Sequence, residues 1–300
     1  MKILIAGASG LVGTDLIPFL TAQTHTVKTI TRQKDSVNAD TFFWDPEHEQ
    51  VNLADLEGFD AIINLSGDNL ASGRWTDEKK SAILQSRLKS TRTLARAIKQ
   101  LKSPPQIFLN ASAIGYYGDC GDSWVDEKSP NGKGFLADVC RQWEAAAQEA
   151  ERPETRVVTL RTGVVFSPKG GALAKMSTPF KLGLGGIIGT GNQWVSWVAI
   201  DELLSIIHHI LATKDIAGPV NAVSPKPVSN REMTKTIGKV LGRWTIFSMP
   251  ATIAKLVFGQ EMAEETLLSS TRVRPAVLQN TNYQFLFPDL EAALHHMLGK

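Results

Sequence analysis

Residues 1–13 read MKILIAGASGLVG, a short apolar run followed by a glycine-rich turn. The apolar run at residues 3–6 predicts a buried β-strand, and the glycines that follow have the spacing GxxGxxG at the opening of a helix. Such a turn lets the backbone approach a pyrophosphate closely, while the helix N-terminus offers unpaired N–H donors. The stretch therefore predicts a dinucleotide-binding loop, with contacts from Gly7, Ser9, Gly10, Leu11, Val12 and Gly13. An ordinary strand-to-helix turn without a ligand is the alternative.

Outward from this loop, short apolar runs alternate with longer helical stretches, which is typical of a parallel sheet covered by helices. The predicted strands are residues 3–6, 26–31, 61–65, 107–111 and 157–160. The predicted helices are residues 77–101, 135–150, 201–213 and 230–241, with a last one at 289–298. Residues 166–197 carry many Gly, Pro and Lys residues and predict a loop-rich excursion.

These elements predict an α/β protein, a Rossmann-like doubly wound parallel sheet with a small C-terminal substrate lobe. We expect residues 1–165 to form the nucleotide-binding core, completed by about residues 221–246. Residues 166–220 and 247–300 would then form the discontinuous lobe.

The end of the second predicted strand indicates which dinucleotide binds. Proteins that prefer NAD place an acid about 20 residues past the loop, where it holds the ribose 2′-hydroxyl. Here the strand ends in Thr31 and Arg32. Because Arg32 can pair with a 2′-phosphate, the sequence favours NADP over NAD. The alternative is a solvated arginine at a strand end.

Composition excludes several other classes. The 300 residues carry 32 basic and 30 acidic side chains, and a net charge of +2 gives no reason to expect a nucleic-acid or membrane partner. The cysteines, Cys120 and Cys140, form no CxxC pair, and without an HExxH motif no metal site is expected. The chain has neither a GxSxG elbow nor a P-loop. With no signal-peptide pattern and no long apolar run, a cytoplasmic protein is predicted.

Several further stretches resemble the sugar-nucleotide epimerase/dehydratase-like branch of the extended short-chain dehydrogenases. They are residues 60–67 (DAIINLSG), 157–165 (VVTLRTGVV) and 197–202 (WVAIDE). The resemblance implies that Leu65, Ser66 and Gly67 lie against the adenosine side of the cofactor and that Val164 lies beside the nicotinamide. It also makes a homodimer an expectation. Asp201 is interpreted as a helix cap.

A narrower resemblance is to an epimerase-family subgroup that has sometimes carried a cell-division-inhibitor label. Its hallmarks are residues 74–75 (RW), 86–87 (SR), 115–118 (GYYG), 143–144 (WE), 179–186 (PFKLGLGG) and a tail from 274 to 294. The resemblance implies that Arg87 reaches the cofactor from the long helix. A surface arginine is the alternative.

The acid–base pair of short-chain dehydrogenases, YxxxK, is missing. The three tyrosines, at 116, 117 and 283, are followed four residues later by Cys120, Gly121 and Phe287, and residues 135–139 (FLADV) stand where the family places the motif. Ser112, at the end of the fifth predicted strand, and Tyr117, just beyond it, are the candidate catalytic residues. A structural or packing role for Tyr117 is the alternative, since a phenol without a nearby lysine is a poor base at neutral pH.

Two functions remain open from the sequence. The first is an NADP-dependent oxidoreductase or epimerase that acts on a small polar or nucleotide-linked substrate. The second is a non-catalytic module that binds NADP(H) and reports redox state to a protein partner, which the missing YxxxK pair favours.

Overall fold

The computed structural model describes residues 1–299 of the chain. Its first eight strands are Lys2–Ala6 (β1), Thr26–Thr31 (β2), Thr41–Asp45 (β3), Gln50–Val51 (β4), Ala61–Asn64 (β5), Ile107–Ala113 (β6), Trp124–Val125 (β7) and Arg156–Thr162 (β8). The others are Val164–Ser167 (β9), Gly186–Ile188 (β10), Trp194–Val195 (β11), Trp197–Ala199 (β12), Gly218–Ala222 (β13), Val228–Ser229 (β14), Phe247–Met249 (β15) and Arg272–Val273 (β16).

The helices alternate with these strands. They are Leu11–Ala22 (α1), Asp77–Gln100 (α2), Phe135–Gln148 (α3), Gly171–Lys181 (α4), Ile200–Ala212 (α5), Asn230–Leu241 (α6), Ala251–Phe258 (α7), Gln260–Met262 (α8), Ala276–Asn280 (α9) and Leu290–Leu298 (α10). A π-helical turn, Ala263–Leu267, continues α8. Within residues 1–299 no helix is both long and apolar enough to cross a membrane.

The central sheet has eight strands in the order β13-β8-β6-β5-β1-β2-β3-β4, and every pair in it is parallel except β3 with β4. After β1 the chain builds one side of the sheet, and it then returns to place β5 on the other side of β1. The carboxyl ends of β1 and β5 therefore flank the point where strand order reverses, which is where open α/β sheets form a ligand crevice.

Alternate residues of β1 enter two different cores, which explains why the strand is apolar on both faces. Ile3 and Ile5 pack with α1 and α5, whereas Leu4 and Ala6 pack with α2. Helices therefore cover both faces of the sheet, and the predicted doubly wound α/β fold is confirmed.

Residues 166–197 are more regular than predicted, because they contain helix α4. Its glycines at 170 and 171 and its Pro179 gave no helical signal, yet Leu173, Ser177 and Phe180 lie on one buried face at helical spacing. Leu173 and Phe180 join a third core with residues of α6 and α10. Tertiary packing overrides the weak local propensity here.

The predicted boundary between core and lobe differs from the structure at residues 200–220. Helix α5 packs on the central sheet, and β13 pairs with β8 at the edge of that sheet, so this part belongs with the core. The reason is that the apolar face of α5 is buried against the sheet. The rest of the predicted division stays a prediction, and Lys300, the last residue assigned to the lobe, lies outside the described residues.

Candidate functional site

The turn after β1 is built from glycines that no other residue can replace without strain. Gly7 has a φ of +83°, and a Cβ atom on it would lie 2.7 Å from the carbonyl carbon of Leu65 and 2.8 Å from the backbone nitrogen of Ser66. A Cβ on Gly13 would lie 2.5 Å from the Gly7 carbonyl oxygen. These close approaches bring β1, α1 and the end of β5 together at one point.

The N-terminus of α1 offers free donors at this point. Gly10 precedes the helix, no side chain caps it, and its first turn contains no acidic residue. The first helical bond in the turn runs from the Thr14 N–H to the Gly10 carbonyl. The N–H groups of Leu11, Val12 and Gly13 have no acceptor within the helix, and the positive end of the helix dipole adds to them. This arrangement fits a phosphate group.

A cleft of about 540 Å³ opens in front of this turn, between the carboxyl ends of β1, β2 and β5. Among the residues predicted to bind the cofactor, those that line it are Gly7, Ser9, Gly10, Thr31, Arg32, Leu65, Ser66 and Gly67. The cleft also has residues that the sequence did not single out, among them Ser36 and Lys89.

Arg32 is exposed on the wall of this cleft and makes no ion pair with any of residues 1–299. The acidic residues of the cleft are neutralised, since Glu47 pairs with Lys89 at 2.6 Å and Asp68 pairs with Lys79. The positive charge of Arg32 is therefore available to an anion, and the Ser36 hydroxyl lies on the same wall.

Arg87 lies on α2 behind Gly67 and is only 8% exposed, so the alternative of a surface arginine is wrong. Its Nη1 donates to the Ile83 carbonyl at 2.9 Å, and its guanidinium lies 5.0 Å from the centre of the Trp143 ring. Burial lowers the pKa of the Arg87 guanidinium. Among the described residues no carboxylate lies within ion-pair distance of it, and such a buried cation is one that an anionic ligand would stabilise.

Ser112 is buried and turned towards helix α3. Its Oγ donates to Glu144 Oε1 at 2.7 Å, and Arg161 holds the same carboxylate through Nε and Nη2, each at 2.8 Å. The Glu144–Arg161 ion pair is bidentate and largely buried. Since side chains alternate along a strand, Ser112 faces α3 and Ala113 faces the opposite side of β6.

Tyr117 is 3% exposed, and its hydroxyl is fully engaged. It donates to Asn221 Oδ1 at 2.7 Å and accepts from Arg161 Nη1 at 3.0 Å. Burial raises the pKa of Tyr117 to about 12, despite the nearby Arg161. The phenol is therefore neutral near pH 7 and stabilises the ends of β6, β8 and β13.

Glu127 closes the same buried network. It accepts from the backbone N–H groups of Asn221 at 3.0 Å, Ala276 at 3.1 Å and Val277 at 3.3 Å. Burial raises the pKa of the Glu127 carboxyl. The network thus ties the C-terminal segment to the central sheet.

The start of α3, where the tyrosine of YxxxK would stand, is covered by apolar and C-terminal residues. The Phe135 ring packs edge-on against Trp75, with ring centres 5.2 Å apart. Glu265 accepts from the N–H groups of Phe135 at 2.6 Å and Leu136 at 2.7 Å, so a carboxylate from the C-terminal segment caps this helix. Val139, at the lysine position, is buried.

Comparison with known proteins shows which family the chain belongs to. The model of the NAD dependent epimerase/dehydratase family matches residues 3–223, and the model of a domain of unknown function, DUF1731, matches residues 249–297. The chain belongs to the NAD dependent epimerase/dehydratase family.

Relatives in this family cover nearly the whole chain. An epimerase family protein of Mycobacterium tuberculosis is 38% identical over 281 residues, which are 94% of this chain and 92% of that protein. Human epimerase family protein SDR39U1 is 34% identical, with both chains covered completely. Its crystal structure (isoform 2) with NADPH has a TM-score of 0.92 over all of both chains. A nucleoside-diphosphate sugar epimerase structure from Corynebacterium glutamicum has a TM-score of 0.81 at 35% identity, and it covers all of this chain and 58% of that one.

Within the family fold, the sequence-predicted residues separate into three groups. One cleft is lined by the glycine turn, Arg32 and residues 65–67. Directly behind it, at the start of α1, lie Leu11, Val12 and Gly13. Arg87 and Val164 lie outside the lining of that cleft, the first behind Gly67 and the second in β9. Ser112 and Tyr117 are joined to each other through Arg161 and Glu144, and neither lines the cleft.

Glu144 and Arg161 are among the residues of the buried network that had no predicted role. Both lie inside stretches that carry the family resemblance, residues 143–144 and 157–165. The signal that could have found them is a charged residue of each sign in otherwise apolar elements, because a buried charge needs a partner.

Proposed function

We propose that this epimerase-family protein binds NADP(H) in the cleft at the carboxyl ends of β1, β2 and β5. The observation that carries the proposal is the unpaired Arg32 on the cleft wall, where a protein that prefers NAD has an acid. The free N–H groups of α1 would hold the pyrophosphate and Arg32 the 2′-phosphate. Residues 65–67 would border the adenosine side, with Val164 beside the nicotinamide. The NADPH of the human SDR39U1 structure supports this choice.

The bound nucleotide would supply or accept a hydride. The reaction would also need an acid or base from the protein, and few of the candidate side chains are free to act as one. Ser112 is committed to Glu144, and Tyr117 is buried with its pKa raised to about 12. Phe135 and Val139 carry no transferable proton. We therefore infer that an oxidoreductase or epimerase reaction on a small polar substrate would not use Ser112, Tyr117 or the residues at the YxxxK positions as acid or base.

The second candidate is a non-catalytic NADP(H)-binding module. The observation that favours it is the same set of committed or apolar groups at the positions where the family places its acid–base residues. Exchange of hydride between labelled NADPH and a panel of carbonyl compounds would separate the two. Turnover supports the enzyme, and tight binding without turnover supports the module. Cytoplasmic location, a homodimer and the absence of a nucleic-acid partner stay predictions.

Titration calorimetry with NADPH and NADH tests the cofactor proposal on wild type, Arg32→Ala and Lys34→Ala. Removing Arg32 is expected to weaken NADPH about 10- to 100-fold, the equivalent of one charge-assisted bond, and to leave NADH nearly unchanged. Lys34→Ala is the matched control. It removes the same charge two residues further along the chain, and Lys34 does not line the cleft. Equal losses in both variants, or no binding of either nucleotide, would overturn the proposal.

A further inference from the structure

The surface of the lobe carries a group of large apolar side chains that the cofactor cleft does not use. We call it the apolar edge; it consists of Leu182, Leu184, Trp244, Ile246, Phe247, Ile253, Leu256 and Val257. Trp244 is 82% exposed, Ile246 is 75% exposed and Leu256 is 70% exposed. These exposures are unusual for side chains of this size in a folded domain.

Two local structures carry most of these side chains. Strands β10 and β15 pair in parallel, with Gly186 opposite Phe247, so the segments that enter the two strands, which carry Leu184 and Ile246, run side by side. Helix α7 follows β15 after a single proline. Its Ile253, Leu256 and Val257 have the spacing i, i+3, i+4 and therefore share one helix face, which is exposed.

The apolar area that these eight side chains expose is large. If a large side chain offers roughly 200 Å² when fully exposed, the eight exposures amount to on the order of 1,000 Å². Monomers seldom expose more than about 300–600 Å² in one patch, and larger patches mark sites that bind a protein, a ligand or a membrane. Within residues 1–299 nothing covers this surface.

The segments that carry the apolar edge contain only cationic charges, and the acidic Glu261 and Glu264 that follow α7 are paired with Lys80 and Lys255. Residues 179–188 and 243–258 contain Lys181, Arg243 and Lys255 and no acidic residue. Lys255 pairs with Glu264, whereas Lys181 and Arg243 make no ion pair with the described part of the chain. Arg74, whose Nη2 donates to the Leu256 carbonyl at 2.7 Å, adds a third such cation beside α7.

We propose that the apolar edge binds an anionic lipid surface, with its aromatic and aliphatic side chains in the headgroup region and its free cations on the lipid phosphates. Exposed tryptophan and aliphatic side chains rimmed by Lys and Arg are the composition that lies in a membrane interface. A second copy of the chain fits less well, because a two-fold contact would bring each set of cations against an identical set. The net charge of +2 predicted no membrane partner, but the local arrangement of charge governs binding, and the sum over the chain conceals it.

Vesicle flotation of the full chain tests the proposal with two lipid compositions. One is phosphatidylcholine alone, and the other contains phosphatidylserine in addition. Since each basic residue near an anionic surface strengthens binding roughly five-fold, three free cations are expected to favour the anionic vesicles on the order of 100-fold. Added salt is expected to reduce this preference.

Variants separate the apolar from the charged contribution. Ile246→Ser with Leu256→Ser is expected to abolish flotation, while Leu286→Ser, at a site that is 56% exposed in the chain between α9 and α10, leaves it unchanged. Lys181→Glu with Arg243→Glu is expected to remove the preference for anionic vesicles. Lys214→Glu, an exposed lysine beyond α5, is the matched control. NADPH titration of each variant checks that it is folded.

Three results would overturn the proposal. The first is no flotation of wild type with anionic vesicles. The second is equal binding to neutral and anionic vesicles. The third is a dimer in sedimentation that Ile246→Ser dissociates while flotation is absent, which would assign the apolar edge to a second copy.

Discussion

Substitution of Gly7 by alanine tests how tightly the turn between β1, α1 and β5 is built. The left-handed φ of +83° costs an alanine about 1–2 kcal/mol. Its Cβ would also press on the backbone of Leu65 and Ser66, which directly follow β5, and the hydrogen bond from the Leu65 N–H to the Ala6 carbonyl restricts their movement. Overpacking of this kind costs about 1–3 kcal/mol more. Gly7→Ala should therefore lower the free energy of unfolding by about 2–5 kcal/mol and weaken NADPH binding.

Substitutions at two other glycines separate the cost of the backbone conformation from the cost of the steric clash. Gly58 has a φ of +69° with nothing within 4 Å of its added Cβ, so Gly58→Ala carries only the backbone cost of about 1–2 kcal/mol. Gly13 has an ordinary φ but a Cβ contact of 2.5 Å, so Gly13→Ala carries the clash, offset by about 1 kcal/mol of helix propensity. Urea unfolding of the three variants gives the free energies. If Gly7→Ala costs no more than Gly58→Ala, the argument from close backbone approach is wrong.

Three further predictions concern the buried network. Glu144→Gln leaves the Arg161 guanidinium without its counter-charge and should cost about 3–5 kcal/mol in thermal unfolding. Ser112→Ala removes one hydrogen bond to a carboxylate and should cost about 1.5–3 kcal/mol. If Ser112→Ala destabilised the protein more than Glu144→Gln, the proposed role of the Glu144–Arg161 pair would be wrong. Tyr117→Phe should remove from an ultraviolet titration a phenol whose pKa is about 12. Because this raised pKa means that the folded state holds the proton more tightly, wild type should lose on the order of 2–3 kcal/mol relative to the variant as the pH rises from about 10 to 12. A constant difference over that range would refute the burial argument.

Much of the fold and of the nucleotide cleft could be predicted because their signals are local in sequence. A strand buried on both faces must be apolar along its length, and residues 3–6 and 61–63 satisfy this requirement. The turn after β1 needs glycine at fixed points, and the residue type at position 32 decides the charge offered to a ribose substituent. The absence of YxxxK is likewise visible without any structure.

Side-chain partners could not be predicted in the same way. The direction of Ser112 depends on its register in β6, and an error of one residue reverses the face that it points to. Tyr117 meets Asn221 across 104 residues of sequence, and Arg87 is buried only because Gly67 and Trp143 pack around it. Each contact joins segments that are distant in sequence, and secondary-structure propensity is evaluated for each segment separately.

The doubly wound sheet, the glycine turn and the arginine at the end of β2 could thus be recognised without a structure, since each depends on neighbouring residues or on a short repeat. The packed structure was needed to show that Ser112 and Tyr117 are committed to a buried network. It was also needed to show that α5 and β13 belong to the core and that the side chains of the apolar edge are exposed. These outcomes depend on which distant surfaces meet, because burial and pairing are properties of the packed chain and not of any single segment.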